Sequence, residues 1–295
     1  MKNPGRFSGH FGTVAYLSLV YLFFYVPILS VIVYSFNDSP VVSIWTHASL
    51  RWYQKLVTDD ELISAGMTSL VLAVATAFAS VFLGTWAGFV LAQYRRFKGR
   101  TLFTGMINAP MVLPEVISGI SLLLLFVAME QAIGWPRDRG MVTMWIGHVM
   151  LCVSYVAITI QARLSALDAS LVEAARDLGA TPLKVFIDIT LPLIWPSLLS
   201  SWLLSFTVSL DDVIMSAFLS GPDTNTLPLI VLSRVRLGLD PEINALGTLF
   251  VTAVSVCVIG NGYFLMRRDH QRIKAMKDLV QAAQKRSAHN RVPEG

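Results

Sequence analysis

Charge is scarce in this sequence: Asp, Glu, Lys and Arg make up 14% of 295 residues, against 54% apolar side chains. With a mean hydropathy of +0.60, the chain carries more hydrophobic surface than a soluble domain buries, which points to a membrane protein. Cysteine is nearly missing too. Cys152 and Cys257 both fall in long apolar stretches, which excludes a disulfide framework or a zinc site and leaves them as packing residues. No G-x-x-x-x-G-K-[ST] segment occurs, and no glycine is followed by lysine anywhere, so the backbone cradle and lysine that hold nucleotide phosphates are lacking. The histidines, His10, His47, His148, His270 and His289, are scattered over loops, one helix and the tail. They form no Ser/His/Asp, Cys/His or metal-ligand cluster, so no catalysis, metal or cofactor is assigned. The net charge of +4 and pI near 9.1 do not indicate nucleic acid, because the basic residues sit in short blocks between apolar segments. There is no internal repeat or low-complexity tract.

What is abundant is long apolar sequence. A hydrocarbon core about 30 Å thick needs roughly 20 residues at about 1.5 Å rise, and six stretches qualify: 14–36, 67–92, 105–128, 141–162, 193–219 and 244–266. Within them lie three acidic residues, Glu115, Asp211 and Asp212, and no Lys or Arg, as expected where an unpaired charge is costly. The expected fold is all-α and integral to the membrane, with six transmembrane helices.

Basic residues orient them. Seventeen of the 23 fall on one side: Lys2 and Arg6, the loop with Arg95, Arg96, Lys98 and Arg100, the loop with Arg163, Arg176 and Lys184, and eight after Met266. The alternate loops hold Arg51, Lys55, Arg137, Arg139, Arg234 and Arg236. Both termini are therefore expected in the cytoplasm. The first apolar segment runs to about 23 residues with no small-residue cleavage site, the pattern of an uncleaved anchor rather than a signal peptide, so the mature chain is expected to begin near Met1. Residues 1–266 form the expected transmembrane domain. Residues 267–295 form a basic cytoplasmic tail whose Ile273, Met276, Leu279 and Val280 recur at roughly helical spacing and whose charge suits anionic lipid headgroups.

The loop between the fourth and fifth spans reads RLSALDASLVEAARDLGATPLKVFIDITLP over 163–192. Ser170 followed by Glu173 is a capping box opening a short helix to about Leu178, which Gly179 ends in a left-handed position. Thr181 caps a second helix with Pro182 at its first position, and Pro192 marks the turn into the fifth span. Leu171, Ala174, Ala175 and Leu178 put small and apolar side chains along one side of the first helix, a surface suited to a partner's groove.

Glu173, Ala174, Ala175, then Gly179, then Ile189, Leu191 and Pro192 reproduce EAA-x3-G-x9-I-x-L-P, and the loop resembles the EAA loop of ABC importer permeases. Their type I fold, and an ATPase-coupling role for residues 168–192, are what the resemblance implies. It narrows over nearly the whole chain to the polyamine permeases of the bacterial inner membrane, nearest the second permease subunit of a putrescine system. This rests on SLRWYQKL at 49–56, ISGISLLLLF at 117–126, IGWPRDRGM at 133–141, LGATPLKVF at 178–186, SLDDVIMSAFLSGP at 209–222, TLP at 226–228 and PEINALGTL at 241–249. The implied partners are a second, homologous permease in a heterodimer, a pair of cytoplasmic ATP-binding subunits, a periplasmic polyamine-binding protein and membrane lipid. The implied function is import of putrescine, with spermidine as a second substrate, by alternating access. Ferric-ion permeases share the loop motif, and an ion-coupled secondary transporter is the alternative of another class.

The carboxylates bear on substrate independently. Asp211 lies about 15 residues beyond Pro196, roughly 22 Å along the fifth span, and Glu115 lies roughly 18 Å into the third, beside Pro110 and Pro114. Two readings stay open: Glu115, Asp211 and Asp212 line a path for a di- or trication, or they pair with backbone amides or a partner's basic residue and lock helices together. Trp45, Trp52, Tyr53 and Trp135 suit interfacial anchoring or contact with a soluble binding protein. Gly84 and Gly88 form a G-x-x-x-G pair suited to close helix contact, within the chain or between subunits.

Overall fold

The computed structural model describes residues 6–41, 44–94, 96–222, 224–238 and 241–256, together with 259 and 263. Lys2, Arg95, most of the sixth span beyond 256 and the tail 267–295 lie outside the described residues. Regular structure among the described residues is helical, with one isolated bridge between Asn37 and Ala48. The chain forms two compact units, Met1–Leu56 with Leu239–Gly295, and Val57–Gly238.

In the first unit, α1 (Arg6–Tyr34) leads into a loop organised by Asn37. The Asn37 amide donates to the Ile44 carbonyl at 2.8 Å and its oxygen accepts from the Thr46 N–H at 3.1 Å, while its own carbonyl accepts from the Trp52 indole at 2.7 Å. Trp52, on α2 (Arg51–Thr58), is thus buried and committed inside the chain; it is neither an interfacial anchor nor a contact surface. Tyr53 shares a 2.7 Å hydrogen bond with Ser35, whereas Trp45 is exposed. The unit closes with α12 (Pro241–Val256), where buried Glu242 meets Lys55 Nζ at 2.7 Å. A carboxylate in a first helical turn is favoured by the helix dipole.

The second unit is built around α3 (Asp60–Gln93), α6 (Met141–Ser165) and α9 (Leu191–Asp211). Small residues recur every three or four positions along α3, and Ala65, Ser69, Ala73, Thr76, Ser80, Gly84 and Gly88 are all buried. That spacing puts one face of the helix against its neighbours. A Cβ on Gly84 would stand 2.6 Å from Val156 Cβ, and one on Gly88 2.7 Å from the Ala157 carbonyl oxygen. The G-x-x-x-G pair therefore serves packing of α3 on α6 within the chain, letting the backbones approach where no larger side chain fits.

By length and composition five helical segments can cross a membrane: Gly12–Tyr34, Asp60–Gln93, Glu115–Ile133, Met141–Ser165 and Pro182–Asp211; Pro241–Val256 is shorter. Two expected spans are interrupted. The 105–128 stretch divides into α4 (Arg100–Val112) and α5 (Glu115–Ile133), with Leu113 extended at ψ 141°. Pro114 disfavours the helical conformation in its predecessor. The 193–219 stretch breaks after Asp211, where Asp212 is extended at ψ 131°, and resumes as α10 (Ile214–Leu219). No proline or glycine sits at that second break.

Candidate functional site

Two regions collect the residues that the sequence singles out. The first joins α6 to α9. Asp168 caps α7 (Ala169–Asp177), its Oδ1 accepting from the Ser170 N–H at 3.0 Å. The helix thus starts two residues before the expected capping box at Ser170, with Asp168 in the cap position. That hydrogen bond holds the Asp168 carboxyl below its ordinary range. α7 ends in a Schellman motif: Gly179, at φ +81°, donates to the Arg176 carbonyl at 2.8 Å, and Ala180 donates to Ala175 at 3.1 Å. Nothing stands within 4 Å of a Cβ built on Gly179, so the left-handed backbone alone reserves the position for glycine.

Beyond the turn, Thr181 caps α8 (Pro182–Val185). The expected separation between this helix and the fifth span is absent. Phe186–Thr190 is one π turn, closed by the Leu191 N–H donating to the Phe186 carbonyl, and α9 continues directly. The widened turn admits Pro192, which has no N–H and whose ring would clash with the carbonyl one α-turn back. Pro182–Asp211 is in effect one rod of 30 residues.

Leu178 is 89% and Leu183 69% exposed at the tip of this loop, with Glu173 and Ala174 exposed and Ala175 half-buried. Val185 is buried, and the Phe186 ring meets Phe89 of α3 edge-on at 5.4 Å. The loop thus faces two ways, apolar tips outward and a packed root inward. A cavity of about 450 Å³ opens between them, lined by Phe89, Leu164, Val172, Glu173, Arg176 and Phe186 among others. Ile189 and Leu191 are half-buried at the root and Pro192 is exposed.

The second region is the break between α9 and α10. Asp211, the last residue of α9, is exposed and makes no hydrogen bond or ion pair with another described residue. Asp212 faces the other way. Its Oδ1 accepts from the Met215 N–H at 3.2 Å, and its Oδ2 from the Ser216 N–H at 2.8 Å and the Ser216 hydroxyl at 3.0 Å. His148 Nε2, from α6, lies 3.3 Å from the same Oδ2, and Nδ1 lies 2.8 Å from the Ser209 hydroxyl. Capture of these amides by a side chain opens the helix without proline or glycine. Glycines then admit the short helix: a Cβ on Gly119 would meet the Phe218 ring at 2.7 Å, and Gly147 lies against Leu219. Thr143 Oγ1 donates to the Leu219 carbonyl at 2.7 Å and fixes the far end.

Glu115 opens α5, half-buried, without a hydrogen bond or ion pair to another described residue. The three carboxylates therefore differ. Asp212 is occupied by the protein, while Asp211 and Glu115 are available. His148 was missed as a site residue, although a histidine inside an otherwise uncharged span is itself a signal.

A second ion-pair cluster lies at the start of α3. Arg234, on α11 (Leu227–Leu237), sits 2.8 Å from Asp59 and 2.6 Å from Glu61. Burial opposes ionisation of Asp59, but the Leu62 N–H and the Arg234 guanidinium outweigh it and hold its carboxyl below the ordinary range.

Residues 80–271 match the family described as binding-protein-dependent transport system inner membrane component. The putrescine transport system permease protein PotI of Escherichia coli K12 is 51% identical over 88% of this chain and 93% of its own. The spermidine/putrescine transport system permease protein PotC of the same organism is 35% identical over 83% and 90%. A bacterial ABC transporter involved in import of the acidic polysaccharide alginate shares the fold, with a TM-score of 0.69, 17% identity, and coverage of 90% of this chain and all of that one. Apolar helices of membrane-crossing length, a helix–glycine–helix loop rooted in the longest of the late helices, and these likenesses agree: the chain belongs to the binding-protein-dependent transport system inner membrane component family, as a multi-pass ABC permease.

Proposed function

We propose that this chain is one of two transmembrane permease subunits of an ABC importer that carries putrescine, and spermidine as a second substrate, across the bacterial inner membrane. The observation that carries the substrate is the 51% identity to a putrescine permease, spread over 88% of the chain. Six spans, both termini in the cytoplasm, a transmembrane domain over 1–266 and a lipid-facing basic tail over 267–295 complete the reading. The partners are a second homologous permease, a pair of ATP-hydrolysing cytoplasmic subunits and a periplasmic polyamine-binding protein.

Residues 168–192 seat in the ATPase, with Glu173, Ala174, Ala175 and Gly179 shaping the inserted helix and turn, and Ile189, Leu191 and Pro192 rooting it. Exposed Leu178 and Leu183 support this, because large apolar side chains at the tip of a charged loop suit a partner's groove. Closure of the two ATPases draws the loops together, and the rod from Pro182 to Asp211, about 45 Å long, carries the displacement toward the break beside Asp211. The cavity then opens outward, and hydrolysis reverses it. Glu115 and Asp211, acidic side chains with no hydrogen bond or ion pair among the described residues, offer an ammonium group a place along that route.

Uptake of labelled putrescine by cells lacking the chain and complemented with it tests the reading. Restored uptake that requires ATP and survives collapse of the proton gradient is expected. Uptake that follows the proton gradient instead would place the chain among ion-coupled transporters, and ferric-ion uptake without polyamine uptake would reassign the substrate.

A further inference from the structure

We propose that His148 is a positioning residue for cation passage, which ties up Asp212 and so leaves Asp211 as the single free carboxylate at the α9–α10 break; the proposal rests on the polyamine-importer reading. Asp212 accepts from three protein donors, two backbone amides and the Ser216 hydroxyl, and His148 Nε2 lies 3.3 Å from its Oδ2. Two oxygens so engaged keep little capacity for an incoming ammonium group. The His148 and Asp212 side chains are 1% and 6% exposed, and the space beside them has no room for a water molecule. That leaves no space for a substrate ammonium beside Asp212 in this conformation.

His148 is held on both sides, by Ser209 of α9 at Nδ1 and by Asp212 and Ser216 beyond the break at Nε2. One ring on α6 thus spans the interruption and fixes the direction in which the chain leaves α9. Asp211 is the residue before the turn, so its direction follows. Without His148, Asp212 loses the imidazole packed against its Oδ2, and the two adjacent carboxylates compete for the same cation in a less defined geometry.

The test is putrescine uptake kinetics for His148→Leu, Asp211→Asn and the double variant in the complete transporter, with membrane levels matched. His148→Leu is expected to raise KM for putrescine about tenfold, the scale of losing one buried polar contact, with maximal rate changed less. Asp211→Asn is expected to raise KM similarly, and the double variant to be no worse than the worse single. His148→Gln, which keeps a donor toward Asp212, should recover most of the affinity. Should His148→Leu not insert, Ser209→Ala removes only the partner of Nδ1, and a smaller KM rise is expected. Native KM in His148→Leu, or in Ser209→Ala where that variant stands in, overturns the proposal. So do effects that multiply in the double variant, because a residue acting only on folding would not couple to Asp211. No uptake of putrescine by the native chain would instead refute the importer reading itself.

Discussion

The loop around α7 and the break around Asp212 are both helix interruptions, made by opposite means. The loop is local: Asp168 caps, Gly179 turns and Thr181 caps again, each within a few residues of what it bonds. The break is tertiary: Asp212 opens the helix by gathering amides three and four residues on, and it is held there by a histidine 64 positions earlier in the chain. A surface that must dock with another protein is specified by local chemistry. The interruption of a long apolar helix is held here by a side chain of a different helix as well as by its own neighbours.

The comparison is most vulnerable at Asp212. Replacing it by alanine leaves two amides and a hydroxyl without their acceptor and removes the carboxylate beside His148, and about 3 kcal/mol of stability is expected to be lost. Thermal unfolding of the detergent-solubilised transporter checks this, and an unchanged melting temperature would remove the tertiary half of the contrast. Gly179→Ala should behave oppositely. Its cost, about 1 kcal/mol for a left-handed residue with a Cβ, falls on an exposed turn with open space around it. Global melting is expected to stay near native while ATP-driven uptake falls.

The ion pair at the start of α3 gives a pH-resolved version. The folded Asp59 carboxyl is depressed, so its contribution is present above the ordinary value near pH 4 and is lost as pH falls through the lower folded value. Asp59→Asn keeps the cap and removes the charge. It should melt below the native protein at about pH 6, with the gap closing below about pH 4. A gap independent of pH would mean that Arg234 contributes nothing through charge. Asp168→Ala should have the smallest effect, fraying α7 with a modest loss of uptake and no change in melting, since the carboxyl is fully exposed; hydrogen exchange of the α7 amides reads it directly.

The same contrast explains what the sequence discloses. Apolar run length marks the long helices, and Pro114 marks the break before α5, because these signals reside in the residues themselves. Gly179 discloses its turn for the same reason. The break at Asp212 is quieter: Leu210, Asp211, Asp212 and Val213 contain no proline or glycine, and the helix is opened by the Asp212 side chain taking the Met215 and Ser216 amides, with His148 of another helix beside it. Continuity from α8 into α9 is hidden likewise, since Pro192 reads as a stop until a π turn accommodates it. The separation of Asp211 from Asp212, adjacent in sequence but opposite in environment, requires the backbone path. Trp52 is similar, an aromatic in an external-looking loop whose burial depends on Asn37.

The central claim is that residues 168–192 transmit ATPase closure to a polyamine pathway. Its most direct measurement is ATP-driven putrescine uptake into proteoliposomes holding the complete transporter, native or Gly179→Asp, with subunit composition verified in each. Native uptake with the variant assembled but inactive is the predicted result. Equal uptake by an assembled Gly179→Asp transporter would contradict it.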